Sequence, residues 1–178
     1  MQPPPTRILP PQPHEHAPGH SAYLALVPAG DVLEHLHAQL VEFTQLERAV
    51  AREREGFRYA AGKWSICELV GHVVDMERVF GYRALTFGRG NPGPLPDVPE
   101  DAFVASAGFD RRGLASIARE LVHLRRANLE LFGSFGDAEL TARGTASGRV
   151  VSVRALLHIA YGHAAHHLNV LKQRYLCA

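Results

Sequence analysis

The sequence predicts an all-α protein, an antiparallel four-helix bundle preceded by an extended, proline-rich N-terminal arm. Four stretches carry apolar residues at three- and four-residue spacing, which is typical of amphipathic helices. Capping residues stand at the starts of these stretches, and no run alternates convincingly between apolar and polar residues as a strand would. The 178 residues suit one domain, with the arm expected over residues 1–20 and the bundle over residues 21–178.

The N-terminal arm is identified by its composition. Residues 1–20 hold seven of the 12 prolines and three of the 11 histidines. Proline at this density disfavours a helix and favours an extended chain. The sequence leaves open whether the arm is loose or lies along the bundle.

The first two helices have clear starting signals. Asp31 is a good N-cap for a first helix that we expect to end near Glu53. Ser65 and Glu68 form a capping box, because each side chain can accept a hydrogen bond from the backbone N–H of the other residue. The second helix is therefore expected from Ile66 to about Phe87.

The second half of the chain contains a long loop and two more helices. Residues 88–109 are rich in proline and glycine and cannot be helical throughout; a loop of this length in a small bundle usually covers a site or contacts a partner. Asp110 is the expected cap of a third helix, and Ser152 that of a fourth helix ending near Tyr175. A small hairpin is possible over residues 145–152.

Bulk composition excludes several function classes. The formal net charge is +1, which indicates neither nucleic acid nor an anionic membrane as a partner, and we expect Arg125 and Arg126 to lie on a solvated helix face. No stretch is apolar enough to span a membrane, and no secretory signal is recognisable. Two cysteines imply no disulfide framework. These features predict a cytoplasmic protein.

The fourth helix contains the most informative pattern. His163 and His167 fall in the middle of its apolar stripe, four residues apart, and therefore lie one turn apart on the same face. His72 shares the apolar face of the second helix. If the second and fourth helices are neighbours, three imidazoles converge inside the bundle and can bind one divalent metal ion with a position left for water.

The alternative for each histidine alone is an ordinary core residue with a polar partner. Three buried imidazoles without an ion would need three separate sets of partners, which favours the metal site. We expect His166 at the rim of this site and His158 on the surface. The segment G-H-A-A-H-H at 162–167 has no glutamate after its first histidine, so it is not a zinc-protease motif.

A general base is harder to assign from the sequence. Asp75 stands three residues after His72 and is the nearest acidic residue on the same helix. It can act as the base, orient a ligand imidazole, or form a helix salt bridge with Arg78. These possibilities stay open. Glu77 is expected to form a surface or inter-helix ion pair.

Three segments together resemble the DinB/YfiT-like superfamily. They are KWSICELVGHVVDMERVFGYRALTF, the loop LPDVPEDAFV, and the terminal SVRALLHIAYGHAAHHLNVLKQRYL. The resemblance implies a four-helix bundle that holds a divalent metal, commonly zinc or nickel, with three histidines at positions matching His72, His163 and His167. It also implies a homodimer, since members often dimerise.

The resemblance implies two enzymatic functions, and the residues leave a third possibility. Some members are thiol-dependent transferases or isomerases that use a low-molecular-weight thiol, and others are metal-dependent hydrolases. Both act on a small molecule and need one open metal position for water or a thiolate. A non-catalytic metal-binding or interaction protein is the alternative.

Overall fold

The computed structural model describes residues 7–177 of the chain, and residues 1–6 of the expected arm and residue 178 lie outside the described residues. Seven α-helices and one two-stranded sheet are present in this range. The helices are α1 (Ser21–Leu24), α2 (Val32–Ala49), α3 (Ile66–Gly88), α4 (Glu100–Ala107), α5 (Leu114–Gly133), α6 (Asp137–Thr141) and α7 (Val153–Val170), and the strands are β1 (Arg143–Ala146) and β2 (Arg149–Ser152).

The four long helices α2, α3, α5 and α7 form the predicted four-helix bundle, in which α3 packs against both α5 and α7. Helices α3 and α7 are antiparallel, because Phe80 packs against His163 whereas His72 reaches His167. Helices α3 and α5 run in the same direction, because Arg78 pairs with Glu120 near the start of α5 and Gly88 packs on Phe135 beyond its end. The long connection over residues 89–113 makes this parallel pair possible.

Two of the predicted caps in the first half of the bundle are confirmed. The Asp31 carboxylate accepts a hydrogen bond from the N–H of Leu33, and Ser65 and Glu68 form the expected capping box of α3. Helix α2 ends at Ala49 rather than near Glu53, since Val50 has an extended backbone. Residues 52–54 form a separate 3₁₀ turn.

The prediction that Asp110 caps the third helix is wrong. Asp110 lies in a 3₁₀ turn, and α5 begins only at Leu114, after Gly113. The Asp110 carboxylate accepts a hydrogen bond from the Ser65 hydroxyl and pairs with Arg58. The Asp110 side chain therefore binds partners beside the start of α3 instead of capping α5.

The last part of the bundle follows the prediction closely. The Ser152 hydroxyl accepts a hydrogen bond from the N–H of Ala155 and so caps α7. Beyond Val170 the helix widens into a π-helical segment, Leu171–Leu176. The hairpin is confirmed as an antiparallel pair of β1 and β2 that directly precedes α7.

The arm packs along the bundle over its described residues. Ile8 is buried at 1% exposure, and its N–H donates to the Asp31 carboxylate while its carbonyl accepts from Val32. Further along, Glu15 is buried beside Arg154 at the start of α7. The sequence left open whether the arm is loose or lies along the bundle, and the described residues of the arm lie along the bundle.

Arg125 lies deeper than expected, and Glu77 forms an inter-helix ion pair, one of its two expected roles. Arg125 is fully buried, which contradicts the predicted solvated face, and donates two hydrogen bonds to the carboxylate of Glu77 at 2.7 and 2.8 Å. Gln39 and Asn128 complete this network between α2, α3 and α5. The charges are tolerated in the core because each has several polar partners.

His158 also departs from the prediction of a surface position. It is 1% exposed, and its Nδ1 donates to the carbonyl of Arg154. The groups that act on it are His35 of α2 and Glu15 of the N-terminal arm, as well as Arg154 on its own helix. No helix within residues 7–177 is both long and apolar enough to cross a membrane.

Candidate metal centre

His72, His163 and His167 lie together inside the bundle, as the sequence predicted. One nitrogen from each imidazole lies within 4.8 Å of the nitrogens of the other two. The Nε2 atoms of His72 and His163 are 3.0 Å apart, and the ring centroids of His163 and His167 are 4.5 Å apart. On α7, His163 lies between Ala160 of one apolar core cluster and Ala164 of the other.

Two glycines, Gly162 and Gly71, allow neighbouring segments to pack closely beside the histidine cluster. A Cβ atom at Gly162 would lie 2.1 Å from the carbonyl oxygen of Tyr23, so glycine at this position lets α1 pack directly on α7. A Cβ atom at Gly71 would lie 2.4 Å from the ring of Phe109, which follows α4. These two glycines therefore place α1 beside His163 and the α4 segment beside α3, near His72.

The three imidazoles are held in the neutral form. Burial lowers the pKa of His72 to about 4 and, with the neighbouring histidines, lowers the pKa of His167 to about 3. The pKa of His163 is lowered well below its usual value, first by burial and then by His167 and His72. Neutral imidazole is the form that binds a metal ion.

The donor set fits a divalent ion. Nitrogens at 2.0–2.1 Å from a tetrahedral zinc ion are about 3.4 Å apart. The His72 and His163 Nε2 atoms are 3.0 Å apart, and all three nitrogens lie within 4.8 Å of one another. Within residues 7–177, no hydrogen bond joins any of the three to a carboxylate or to the backbone; His72 and His163 contact each other instead. Two buried imidazoles and one partly buried imidazole that lack separate polar partners fit a shared ion.

Aromatic side chains form the walls of the centre. The indole ring of Trp64 lies 4.7 Å from the His72 ring between centroids, and Tyr23 and Phe80 each lie 5.5 Å from His163. His166 is exposed and packs edge-on against His167 at 5.0 Å, in keeping with its expected position at the rim. These rings restrict the directions in which the imidazoles can turn.

The nearest acidic residues were not found from the sequence. Glu100, the first residue of α4, places Oε2 3.9 Å from Nε2 of His72, and the charge of Asp101 also acts on His72. Both belong to the long segment that was expected to cover a site. The sequence PED at 99–101, an acidic helix start within that segment, was the signal that could have pointed to them.

Asp75 lies in a different environment from the three histidines. Its carboxylate is 4.0 Å from the guanidinium of Arg78, and the other charges that act on it are those of Glu120 and Arg112. Burial raises the pKa of Asp75. Among the described residues, no hydrogen bond or ion pair connects Asp75 with the histidine cluster.

Two cavities open on either side of the cluster. One of 120 Å³ is bounded by His163 together with Tyr23, Arg83 and Arg149. The other, of 390 Å³, is bounded by His167 together with Trp64 and Asp101. His163 and His167 therefore each line a separate cavity.

Comparison with known proteins identifies the family. The sequence profile of the DinB superfamily matches residues 35–171, which include all three histidines and most of the bundle. The chain belongs to the DinB superfamily. No curated protein sequence matches it.

Two solved structures share the DinB fold of this chain. One, described as "YfiT from Bacillus subtilis is a probable metal-dependent hydrolase with an unusual four-helix bundle topology", has a TM-score of 0.70 at 14% identity, with 92% of this chain and 89% of that chain covered. The other, a mycothiol-dependent maleylpyruvate isomerase, has a TM-score of 0.60 at 15% identity and covers 77% of this chain and 58% of that chain. At these identities the similarity establishes the fold alone.

Proposed function

We propose that this DinB-superfamily protein binds one divalent metal ion through His72, His163 and His167 and is a metal-dependent enzyme acting on a small molecule. The observation that carries this proposal is the meeting of three neutral, largely buried imidazoles from two helices within 4.8 Å, between two cavities. An ion held there would act as a Lewis acid that brings the pKa of water or of a thiol toward neutrality.

The residues around the histidines have separate tasks in this proposal. Glu100 is half-exposed and 3.9 Å from Nε2 of His72, which suits a carboxylate that takes up a proton from the attacking group. Trp64 and Phe80 exclude water and keep the imidazoles oriented. The contact of Asp75 with Arg78 supports the ion-pair role of Asp75 over its role as a base.

The nature of the attacking group separates the two enzymatic possibilities. Water gives a hydrolase, whereas a low-molecular-weight thiol gives a transferase, and one open position serves either. Within residues 7–177, no cysteine or carboxylate joins the three-histidine cluster as a fourth ligand, which supports an open position rather than a closed structural site. Zinc and nickel are both suited to imidazole ligands.

The first experiment measures metal in protein purified without a histidine tag. We expect close to one equivalent of zinc or nickel in the natural protein and almost none in His163→Ala. His166→Ala is the matched control, because His166 is on the same helix, exposed, and outside the cluster. Equal metal content in His163→Ala and the natural protein would overturn the proposed site.

The second experiment tests catalysis in the metal-loaded protein. Ester and amide hydrolysis and the transfer of bacillithiol and mycothiol are assayed with the natural protein and with Glu100→Gln. We expect Glu100→Gln to keep its metal and to lose activity by about 10²–10⁴-fold, the usual contribution of a proton-transfer group. Full metal binding without activity in any of these assays would favour the non-catalytic metalloprotein.

A homodimer is also part of this proposal. Exposed apolar side chains at Val41, Tyr82 and Phe103 support it, since a second copy could cover one of these positions. Light scattering of the eluting protein gives the mass directly. A mass of about 39 kDa, twice the 19.5 kDa of the chain, is expected, and a mass of one chain at micromolar concentration would contradict it.

A further inference from the structure

The 120 Å³ cavity beside His163 contains cationic groups that the proposed metal chemistry does not use. It is lined by His163, by apolar side chains that include Met76 and Leu156, and by Arg83 and Arg149. Its volume admits a small organic group. A ligand in this cavity would therefore share its walls with a proposed metal ligand and two arginines.

Arg83 is a buried arginine with unused donors. It is 8% exposed, and its Nη2 donates to the carbonyl of Pro96 at 3.1 Å and to the Ser147 hydroxyl at 2.9 Å. These bonds fix the plane of the guanidinium. Among the described residues, no carboxylate lies within 4.0 Å of Arg83, and no acceptor is bonded to its Nε or Nη1. A buried cation without a paired carboxylate is costly unless an anion joins it.

Two further donors border the same cavity. Arg149, the first residue of β2, is exposed, and no carboxylate within residues 7–177 pairs with it. His20, from the N-terminal arm, has a buried Nδ1 without a hydrogen-bond partner. Burial lowers the pKa of His20, and the charges of Arg149, His16 and Arg83 act in the same direction. Arg83, Arg149 and His20 thus come from three separate segments and line the same cavity.

The acidic residues of the cavity limit the charge of its ligand. Asp97 accepts hydrogen bonds from Ser147 and from the N–H of Val98, and Glu100 lies beside His72. Both carboxylates line the cavity and act on Arg83 from beyond ion-pair distance. Their negative charge favours a singly charged anion over a doubly charged phosphate as the direct partner of the arginines. A planar carboxylate also matches the fork of a guanidinium.

We infer that this cavity is a substrate subsite in which Arg83 and Arg149 bind a carboxylate, so that the substrate is a carboxylic acid whose reacting bond lies at the histidine cluster. The inference rests on the proposed function for the reaction itself. The carboxylate site is built from residues that need no ion, and it is therefore testable in the metal-free protein.

The experiment measures binding of butyrate and of its neutral isostere butyramide to metal-free protein by amide chemical-shift titration. Butyrate is expected to bind with shifts centred on the cavity, and butyramide at least about tenfold more weakly, as the loss of a charge-assisted hydrogen bond implies. Arg149→Gln should remove this preference. Arg126→Gln, an exposed arginine on α5 outside the cavity, should keep it. Arg83→Lys keeps the positive charge but loses the paired N–H donors of the guanidinium, so it should weaken the binding of butyrate.

A parallel titration uses metal-loaded protein with acetohydroxamate and with the monohydroxamate of succinic acid. The carboxylated hydroxamate is expected to bind more tightly, and Arg149→Gln should cancel its advantage. Equal binding of butyrate and butyramide, or tighter binding of inorganic phosphate than of butyrate, would overturn the carboxylate site whether or not metal binds. Arginine-dependent butyrate binding in a protein that takes up no metal would uphold the carboxylate site and overturn the proposed function.

Discussion

The Nε2 atoms of His72 and His163 lie 3.0 Å apart, although 91 residues separate them along the chain. Two imidazoles at this distance can share only one proton, and both are buried. The contact can instead serve a shared divalent cation, at which each neutral imidazole directs a nitrogen lone pair. It is thus the structural feature on which the proposed metal centre depends.

Metal should stabilise the fold through this centre. At a free zinc concentration of 100 times the dissociation constant, the free energy of unfolding is expected to rise by about 2.7 kcal/mol. His163→Ala should abolish the rise, and His166→Ala should keep it. Denaturant unfolding with and without zinc measures the difference; an equal rise in His163→Ala would place the ion elsewhere.

The buried Arg125–Glu77 pair should be sensitive to the loss of one partner. Arg125→Met leaves the carboxylate of Glu77, 2% exposed, without its bidentate partner, and should cost about 3–5 kcal/mol in urea unfolding. Arg126→Met, at the exposed neighbouring position, should change stability by less than about 0.5 kcal/mol. The double variant Arg125→Met with Glu77→Leu should recover much of the loss, because no unpaired charge remains; no recovery would contradict this explanation.

The contact between α1 and α7 should depend on Gly162. An added Cβ atom would stand 2.1 Å from the Tyr23 carbonyl oxygen, so Gly162→Ala should destabilise the protein by about 1–3 kcal/mol through displacement of α1. Gly133→Ala is the control, since no heavy atom lies within 4 Å of the added Cβ at the end of α5. Unfolding curves of Gly162→Ala that match those of the natural protein would show that α1 is not packed as described.

Buried His158 should make stability depend on pH. Burial lowers its pKa in the folded protein, while in the unfolded chain its pKa returns to about 6.5. Below about pH 6.5 the unfolded chain therefore binds a proton that the folded protein does not, and stability falls as pH decreases, by up to about 1.4 kcal/mol per pH unit for this group. The free energy of unfolding of His158→Gln should fall less steeply between pH 7 and pH 5 than that of the natural protein. Parallel plots of unfolding free energy against pH for the two metal-free proteins would contradict this.

Features that depend on local sequence could be predicted. The caps Asp31, Ser65 and Ser152 act within their own helices, and the positions of His163 and His167 follow from helical periodicity. His72 could be included because its position in an apolar stripe has the same local origin. The family resemblance then supported the same three residues.

Features that depend on which segments become neighbours could not be predicted. Glu100 lies near His72 only because α4 packs against α3. Asp110 accepts a hydrogen bond from Ser65, which is distant in sequence, instead of capping α5. Arg125 and His158 were expected at the surface because their neighbours in sequence permit it. Arg125 instead bonds to residues of α2 and α3, and His158 lies near His35 of α2 and Glu15 of the arm. Neither of these tertiary contacts has a local signal.

X-ray absorption at the edge of the bound metal, in tag-free protein, tests the central claim most directly. We expect a first shell of nitrogen and oxygen at about 2.0–2.1 Å, with outer-shell scattering from three imidazoles that falls to two in His72→Ala. A shell dominated by sulfur at about 2.3 Å, or the same number of imidazoles in the natural protein and in His72→Ala, would contradict a centre built from His72, His163 and His167.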